Sequence, residues 1–121
     1  MSKKVMIADD DAAIVDFLSI LLQLEGYDIT STLNGATLLE MDDDLPDLII
    51  LDIWMSGVDG RDVCKQLKQQ EHTRNIPILM VSASTNIQDS AMSAGANDFL
   101  SKPFDMDELL KKVEKNLLNT N

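Results

Sequence analysis

Four apolar segments of this chain run into side chains that can do chemistry. KVMIADD ends on Asp9 and Asp10, LIILD on Asp52, ILMVS on Ser82 and DFLSK on Lys102. Carboxylates gathered in a partly enclosed place repel by kilocalories and raise one another's pKa unless a cation comes between them. No His or Cys stands near these positions. Hard oxygen ligands then select Mg²⁺ or Mn²⁺ over zinc, and Mg²⁺ takes one or two carboxylates plus waters and phosphate oxygens. A cation flanked by a carboxylate, a hydroxyl and an ammonium group is a phosphoryl-transfer site in outline. Asp52 can act as nucleophile and form an acyl phosphate. The cation and Lys102 neutralise the equatorial oxygens, and Ser82 can hydrogen-bond one of them.

Each residue also has a plainer role open to it. Asp9 and Asp10 stand just before a helical segment and could be its N-caps. Ser82 could cap a strand end, and Lys102 could simply be solvated. Asp52 is harder to dismiss, because it closes a wholly apolar run. The joint pattern points to chemistry, provided that the fold brings the four strand ends together.

The elements that must do so are legible. Five β-prone segments, at 4–8, 27–32, 48–51, 78–82 and 98–101, alternate with helical patterns near 12–24, 35–43, 60–71, 86–94 and 105–118. That alternation signals βαβ units around a parallel sheet. Gly26 and Gly95 follow helical segments as C-cap glycines do, and Pro46 and Pro77 break the chain before strands. The third and fourth strands are apolar without alternation, as central parallel strands are. The second, with Asp28, Thr30 and Ser31, suits an edge. The expected fold is an α/β, flavodoxin-like, doubly wound five-stranded parallel sheet of order 2-1-3-4-5 with five helices. That order sets strands 1 and 3 side by side, with Asp9, Asp10 and Asp52 at the switch point where open α/β sheets bind ligands.

Composition narrows the functions. At 121 residues the chain reads as a single domain, 1–121, with no linker or repeat. Cys64 is the only cysteine, which excludes an internal disulfide and fits a reducing, cytoplasmic setting. No apolar run reaches the roughly 20 residues of a membrane span. Ten basic against 21 acidic side chains leave a net charge of -11 and no basic patch, so no direct nucleic-acid or membrane partner is expected. The acidic run MDDDLPD at 41–47 reads as a solvated helix end, since it lacks the glycine and distal glutamate of an EF-hand. His72 reads as a surface residue.

Four motifs, MIADDDAAI, DLIILDIWMSGVDG, ILMVSAS and GANDFLSKPF, occur in the order found in the CheY-like receiver domain of two-component response regulators, and the chain resembles that family over its whole length. The resemblance implies that Asp9 and Asp10 bind the metal, that Asp52 is the phosphoacceptor, and that the backbone carbonyl of Trp54 completes the Mg²⁺ shell. Ser82 takes the hydroxyl position, Lys102 is the phosphate-binding lysine and Phe99 the aromatic switch residue. It further implies a cis Lys102–Pro103 bond. The implied function is a signalling switch: a histidine kinase or phosphotransfer protein donates the phosphoryl group, the receiver catalyses only its own phosphorylation and slow dephosphorylation, and a downstream target or output domain reads the result. It admits a phosphorylation-dependent dimer through the fourth helix, fifth strand and fifth helix.

Three positions depart from the commonest family pattern. Ser56 replaces a frequent proline and leaves the loop after Asp52 less rigid. Phe99 replaces tyrosine, so inward movement would gain packing without a hydroxyl hydrogen bond. Serine replaces threonine at 82. The first helix is apolar on more than one face, which fits either deep packing or a kinase-docking face using Ile14, Val15 and Leu18. Met80, Met92 and Met106 read as core or near-core. The Trp54 indole is expected to shield the site from water. Two rival readings are a haloacid-dehalogenase-like phosphatase, which needs an acid where Trp54 stands, and a receiver-like binding module that is never phosphorylated. Nucleotide-binding glycine motifs are absent.

Overall fold

Leu48, Ile49, Ile50 and Leu51 are each at most 2% exposed, which requires a strand covered on both faces. The computed structural model, which describes residues 2–55, 57–84 and 88–118, meets that requirement with five parallel strands. In chain order the elements are β1 (Lys4–Ala8), α1 (Ala12–Leu24), β2 (Asp28–Thr32), a 3-10 helix (Gly35–Glu40), β3 (Leu48–Asp52), β4 (Trp54–Met55), β5 (Val58–Asp59), α2 (Gly60–Gln69), β6 (Ile78–Ser82), α3 (Gln88–Ser93), β7 (Asp98–Ser101) and α4 (Met106–Leu118). The sheet order is β2-β1-β3-β6-β7, the expected doubly wound order, with β2 and β7 at the edges.

Alternate residues of the central strands feed two cores. Val5, Ile7, Leu48, Ile50, Leu79, Val81 and Leu100 pack beneath α1 and α4 against Val15, Leu18, Leu22, Leu109 and Val113. Ile49, Leu51, Ile78, Met80 and Phe99 pack on the other face with Leu38, Val63, Cys64, Leu67 and Ala91. Ala8 pairs with Leu51, Asp52 with Val81, and Ser82 with Ser101. The four chemically equipped strand ends therefore share one edge of the sheet.

Some expectations change. The second helical segment is a 3-10 helix that ends at Glu40 instead of 43. Asp42, Asp43 and Asp44 follow it, and acidic side chains oppose the negative end of a helix dipole. Side chains satisfy its last carbonyls instead: Gln70 Nε2 donates to Leu39 at 3.1 Å and exposed His72 Nε2 to Met41 at 2.7 Å. Residues 86 and 87 of the fourth helical segment, and Ser56, lie outside the described residues. Met80 is core, whereas Met92 and Met106 are 41% and 50% exposed, because the short α3 and the first turn of α4 leave them at the surface. Val15 and Leu18 are also core, so the outward apolar surface of α1 is Phe17, Ile20 and Leu24 beside half-buried Ile14. Gly26 and Gly95 do take the left-handed conformation after their helices, at φ +95° and +107°.

The β4–β5 ribbon was not expected. It turns the chain after β3 straight into α2, and Gly60 lets it do so. Gly60 N–H donates to the Ile53 carbonyl at 2.7 Å, and a Cβ here would stand 2.4 Å from the Asp52 carbonyl oxygen and 2.9 Å from Ile53 Cα. Both are backbone atoms of the strand that carries Asp52. Gly60→Ala gains up to about 1 kcal/mol of helix propensity, but overpacking against immovable backbone costs more, so a net loss of about 2 kcal/mol is expected. Urea unfolding checks this as a lowered midpoint at unchanged slope.

Candidate functional site

The register places Asp9 and Asp10 after β1, Asp52 at the end of β3, and Lys102 just past β7. One carboxylate oxygen from each of Asp9, Asp10 and Asp52 lies within 4.8 Å of the others. Asp9 and Asp52 are buried and Asp10 is exposed. Lys102 Nζ reaches into this group, 3.0 Å from Asp9 Oδ2 and 3.5 Å from Asp52 Oδ1. Lys102 N–H donates to the Ser82 carbonyl at 2.8 Å, which ties the lysine's backbone to β6. The Lys102–Pro103 bond is cis, as expected.

The plainer roles can now be sorted. The N-cap of α1 is Asp11, whose Oδ1 accepts from Ala13 N–H at 3.0 Å and Ile14 N–H at 3.3 Å. Asp9 and Asp10 are thereby released from capping, although Asp9 Oδ1 accepts from Asp11 N–H at 3.0 Å. Lys102 is not simply solvated, since its side chain is only 20% exposed and faces two carboxylates. Ser82 does serve its strand end: it is buried, and its Oγ accepts from Ser84 N–H at 3.1 Å. That bond uses a lone pair and leaves the hydroxyl proton to donate.

Burial pushes the Asp52 carboxyl up to about 6, the Asp9 charge adds to this, and Lys102 works against it. For Lys102, burial favours the neutral form, but the bond to Asp9 and the charges of Asp52 and Asp9 outweigh it and hold the ammonium above its ordinary value. The three carboxylates gather more negative charge than the Lys102 ammonium by itself offsets. A divalent cation is the complement, and three convergent hard oxygen donors without His or Cys fit Mg²⁺ or Mn²⁺.

Around this centre the structure adds features that the sequence did not reveal. A surface cavity of about 420 Å³, lined by Ile14, Phe17, Leu18, Ala83, Pro103 and Phe104, opens beside Lys102. The apolar spacing of α1 hinted at one wall. The other comes from the chain after β6 and β7, which only the fold brings near. Trp54 is 50% exposed, and its indole carries the Arg61 guanidinium 4.8 Å from the ring centroid. Phe99 is already buried, in the same cluster as Met80, Ala91 and Ala96.

The native state holds the Asp52 proton more tightly than the unfolded chain does, so without a divalent cation stability falls as pH rises from about 4 to about 6 and stays reduced above. The penalty is on the order of 2 kcal/mol at neutral pH once solvent screening is allowed for. In chelator, Asp52→Asn is therefore expected to unfold at higher urea than the parent near pH 7, with the gain vanishing near about pH 4. Paired urea titrations across that range test it.

Comparison with known proteins converges on one family. The model of the response regulator receiver domain matches residues 5–114. A DNA-binding dual master transcriptional regulator, RpaA of Synechocystis sp., is 41% identical over 97% of this chain, and the chain spans 50% of the length of that curated relative. A crystal structure described as a putative response regulator from Chloroflexus aurantiacus superposes with a TM-score of 0.92 at 32% identity, covering 98% of this chain and all of that one. The response regulator TrrA from Thermotoga maritima, solved in complex with Mg²⁺ and BeF, superposes with a TM-score of 0.85 at 31% identity, over 94% of this chain and 98% of that one.

Proposed function

Because the chain belongs to the response regulator receiver family, we propose that residues 1–121 form one receiver domain that takes a phosphoryl group from a phosphohistidine onto Asp52. The donor is a histidine kinase or a phosphotransfer protein, and the setting is cytoplasmic. The observation that carries the reading is the Lys102 ammonium held between Asp9 and Asp52, within one cluster of three carboxylates.

A divalent cation, Mg²⁺ or Mn²⁺, would be held by Asp9, Asp10, Asp52 and the backbone carbonyl of Trp54, and it supplies charge neutralisation to the phosphoryl oxygens. The remaining steps belong to the chain. An Asp52 carboxylate oxygen attacks phosphorus, the P–N bond breaks, and its electron pair stays on the imidazole nitrogen of the donor. Lys102 leaves Asp52 to bind one equatorial oxygen while keeping Asp9 as its second partner. The Ser82 hydroxyl donates to another. Water attacking phosphorus later returns the carboxylate and releases phosphate. The chain is thus a switch that catalyses its own modification and its reversal. Trp54 leaves no second acid for a dehalogenase-type phosphatase, and the full set of acids, hydroxyl and lysine speaks against an unmodified scaffold.

A phosphoryl group adds about two charges at this edge. Ser82 is drawn toward it. Phe99, buried beside Met80, is the aromatic switch residue that packs into the space Ser82 vacates. A downstream target, an output domain or a second copy then reads the face of α3, β7 and α4.

The donor's route is the apolar cavity beside Lys102. Phe17, 51% exposed on its rim, and Ile14 would seat an apolar helix face, and the exposed Asp10, Asp11 and Asp16 in the same stretch of sequence add negative charge.

With Mg²⁺ and a small acyl-phosphate donor, intact-mass labelling is expected for the parent, none for Asp52→Asn, and a rate lowered about a hundredfold for Lys102→Ala. Parent-like labelling of Asp52→Asn would remove the assignment. Phe17→Ser is expected to leave labelling by the small donor unchanged and to slow transfer from the cognate phosphorylated kinase about tenfold. Equal slowing with both donors would show that the cavity is not a docking site.

A further inference from the structure

The ribbon after β3 is short. β4 and β5 contribute two residues each and, among the described residues, pair only with one another, and so short a ribbon has little stability of its own. Yet its first residue, Trp54, is the one whose carbonyl the receiver reading assigns to the cation. Buried Met55 seats one side of the ribbon in the core, and Arg61 anchors the outer side that carries Trp54. The guanidinium lies 4.8 Å from the centroid of the Trp54 indole. Its Nε and Nη2 donate to the two oxygens of Asp59 at 3.0 and 2.7 Å. Asp59 stands opposite Trp54 in the ribbon and also caps α2, accepting from Arg61 N–H at 2.9 Å. The remaining edge, Nη1, donates to Ser90 Oγ on α3 at 2.9 Å. One planar group therefore holds the indole on its face and two separate elements on its edges, an arrangement that a lysine cannot reproduce.

We propose that Arg61 is a positioning residue for cation binding at Asp9, Asp10 and Asp52, acting by clamping Trp54 against Asp59 so that the backbone supplying the carbonyl ligand is fixed before the cation arrives. The proposal rests on the receiver reading of the site and goes beyond it by giving a side chain outside the cluster control over the cluster's affinity. Electrostatics alone demands the opposite effect. Arg61 neutralises Asp59, so removing it exposes another negative charge near the site and, by charge alone, tightens cation binding. Positioning loosens it, because an unanchored ribbon must be ordered at the expense of binding.

The sign decides between the two. Calorimetric titration of the metal-free chain with Mn²⁺ alone is expected to give a dissociation constant roughly tenfold higher for Arg61→Ala than for the parent, the scale on which outer partners of metal ligands act. Arg61→Lys keeps the charge without the fork, and most of the loss is expected to remain. Acrylamide quenching of Trp54 fluorescence is expected to rise in both variants. Ser90→Ala removes one anchor at an exposed position, keeps the proposal testable should the arginine variants unfold, and is expected to raise the constant about threefold. Unchanged or tighter Mn²⁺ binding in Arg61→Ala, or full recovery in Arg61→Lys, overturns the clamp. A parent that binds Mn²⁺ no better than Asp52→Asn overturns the cation site itself, and the clamp with it.

Discussion

Like charge gathered at one sheet edge is the constraint on which this structure turns. Asp9 and Asp52 are buried within reach of each other and of Asp10, with the Lys102 ammonium between Asp9 and Asp52. Burial first, and the Asp9 charge second, raise the Asp52 carboxyl, so holding it ionised here costs stability. The same imbalance makes the edge receptive to a divalent cation and to a phosphoryl group. Carboxylates free to relax apart would lose that affinity, so the surrounding fold has to be stiff.

Stiffness comes from the two cores. β3 is buried along its length and paired with β1 through Leu51 and with β6 through Asp52, which fixes the strand end that carries Asp52. Asp11 caps α1 and so spares Asp9 and Asp10 from that duty. Gly60 brings α2 against the backbone of Asp52 and Ile53, closer than any side chain would permit. On the far side of the sheet edge, buried Asp98 accepts from Lys112 at 2.9 Å and Asn116 at 3.0 Å, which fastens α4 to the start of β7. Burial opposes the charge on Asp98, but these hydrogen bonds outweigh it and hold its pKa below the ordinary value.

Movement is accordingly expected where anchoring is thin. α3 has six residues, and Ala91 is its only buried one among those described. Few buried contacts mean low local stability, the usual property of elements that respond to a ligand. Ser82 leads into this segment from the site, and Arg61 touches it through Ser90 from the ribbon. The Arg61–Ser90 contact thus links the ribbon after β3 to a weakly held helix, while α4 stays fixed by the Asp98 network.

The alternation of apolar runs with helical patterns by itself determined the class of fold, because a strand buried on both faces cannot tolerate polar residues and β3 and β6 contain none before their last positions. It also determined the chemistry available, since the residue types at the strand ends are few and their charges do not cancel. Tertiary structure decided which residues were free to use it. Val15 left the candidate docking surface for the core, Leu18 stayed as a buried part of the cavity lining beside Ile14, and Phe17 joined them, because periodicity shows that a helix has two apolar faces but not which one meets the sheet. Capping fell to Asp11 among three adjacent aspartates, which only backbone direction could select. The partnership of Trp54, Asp59, Arg61 and Ser90 depends on a short ribbon and a neighbouring helix meeting in space, and no spacing along the chain encodes that meeting.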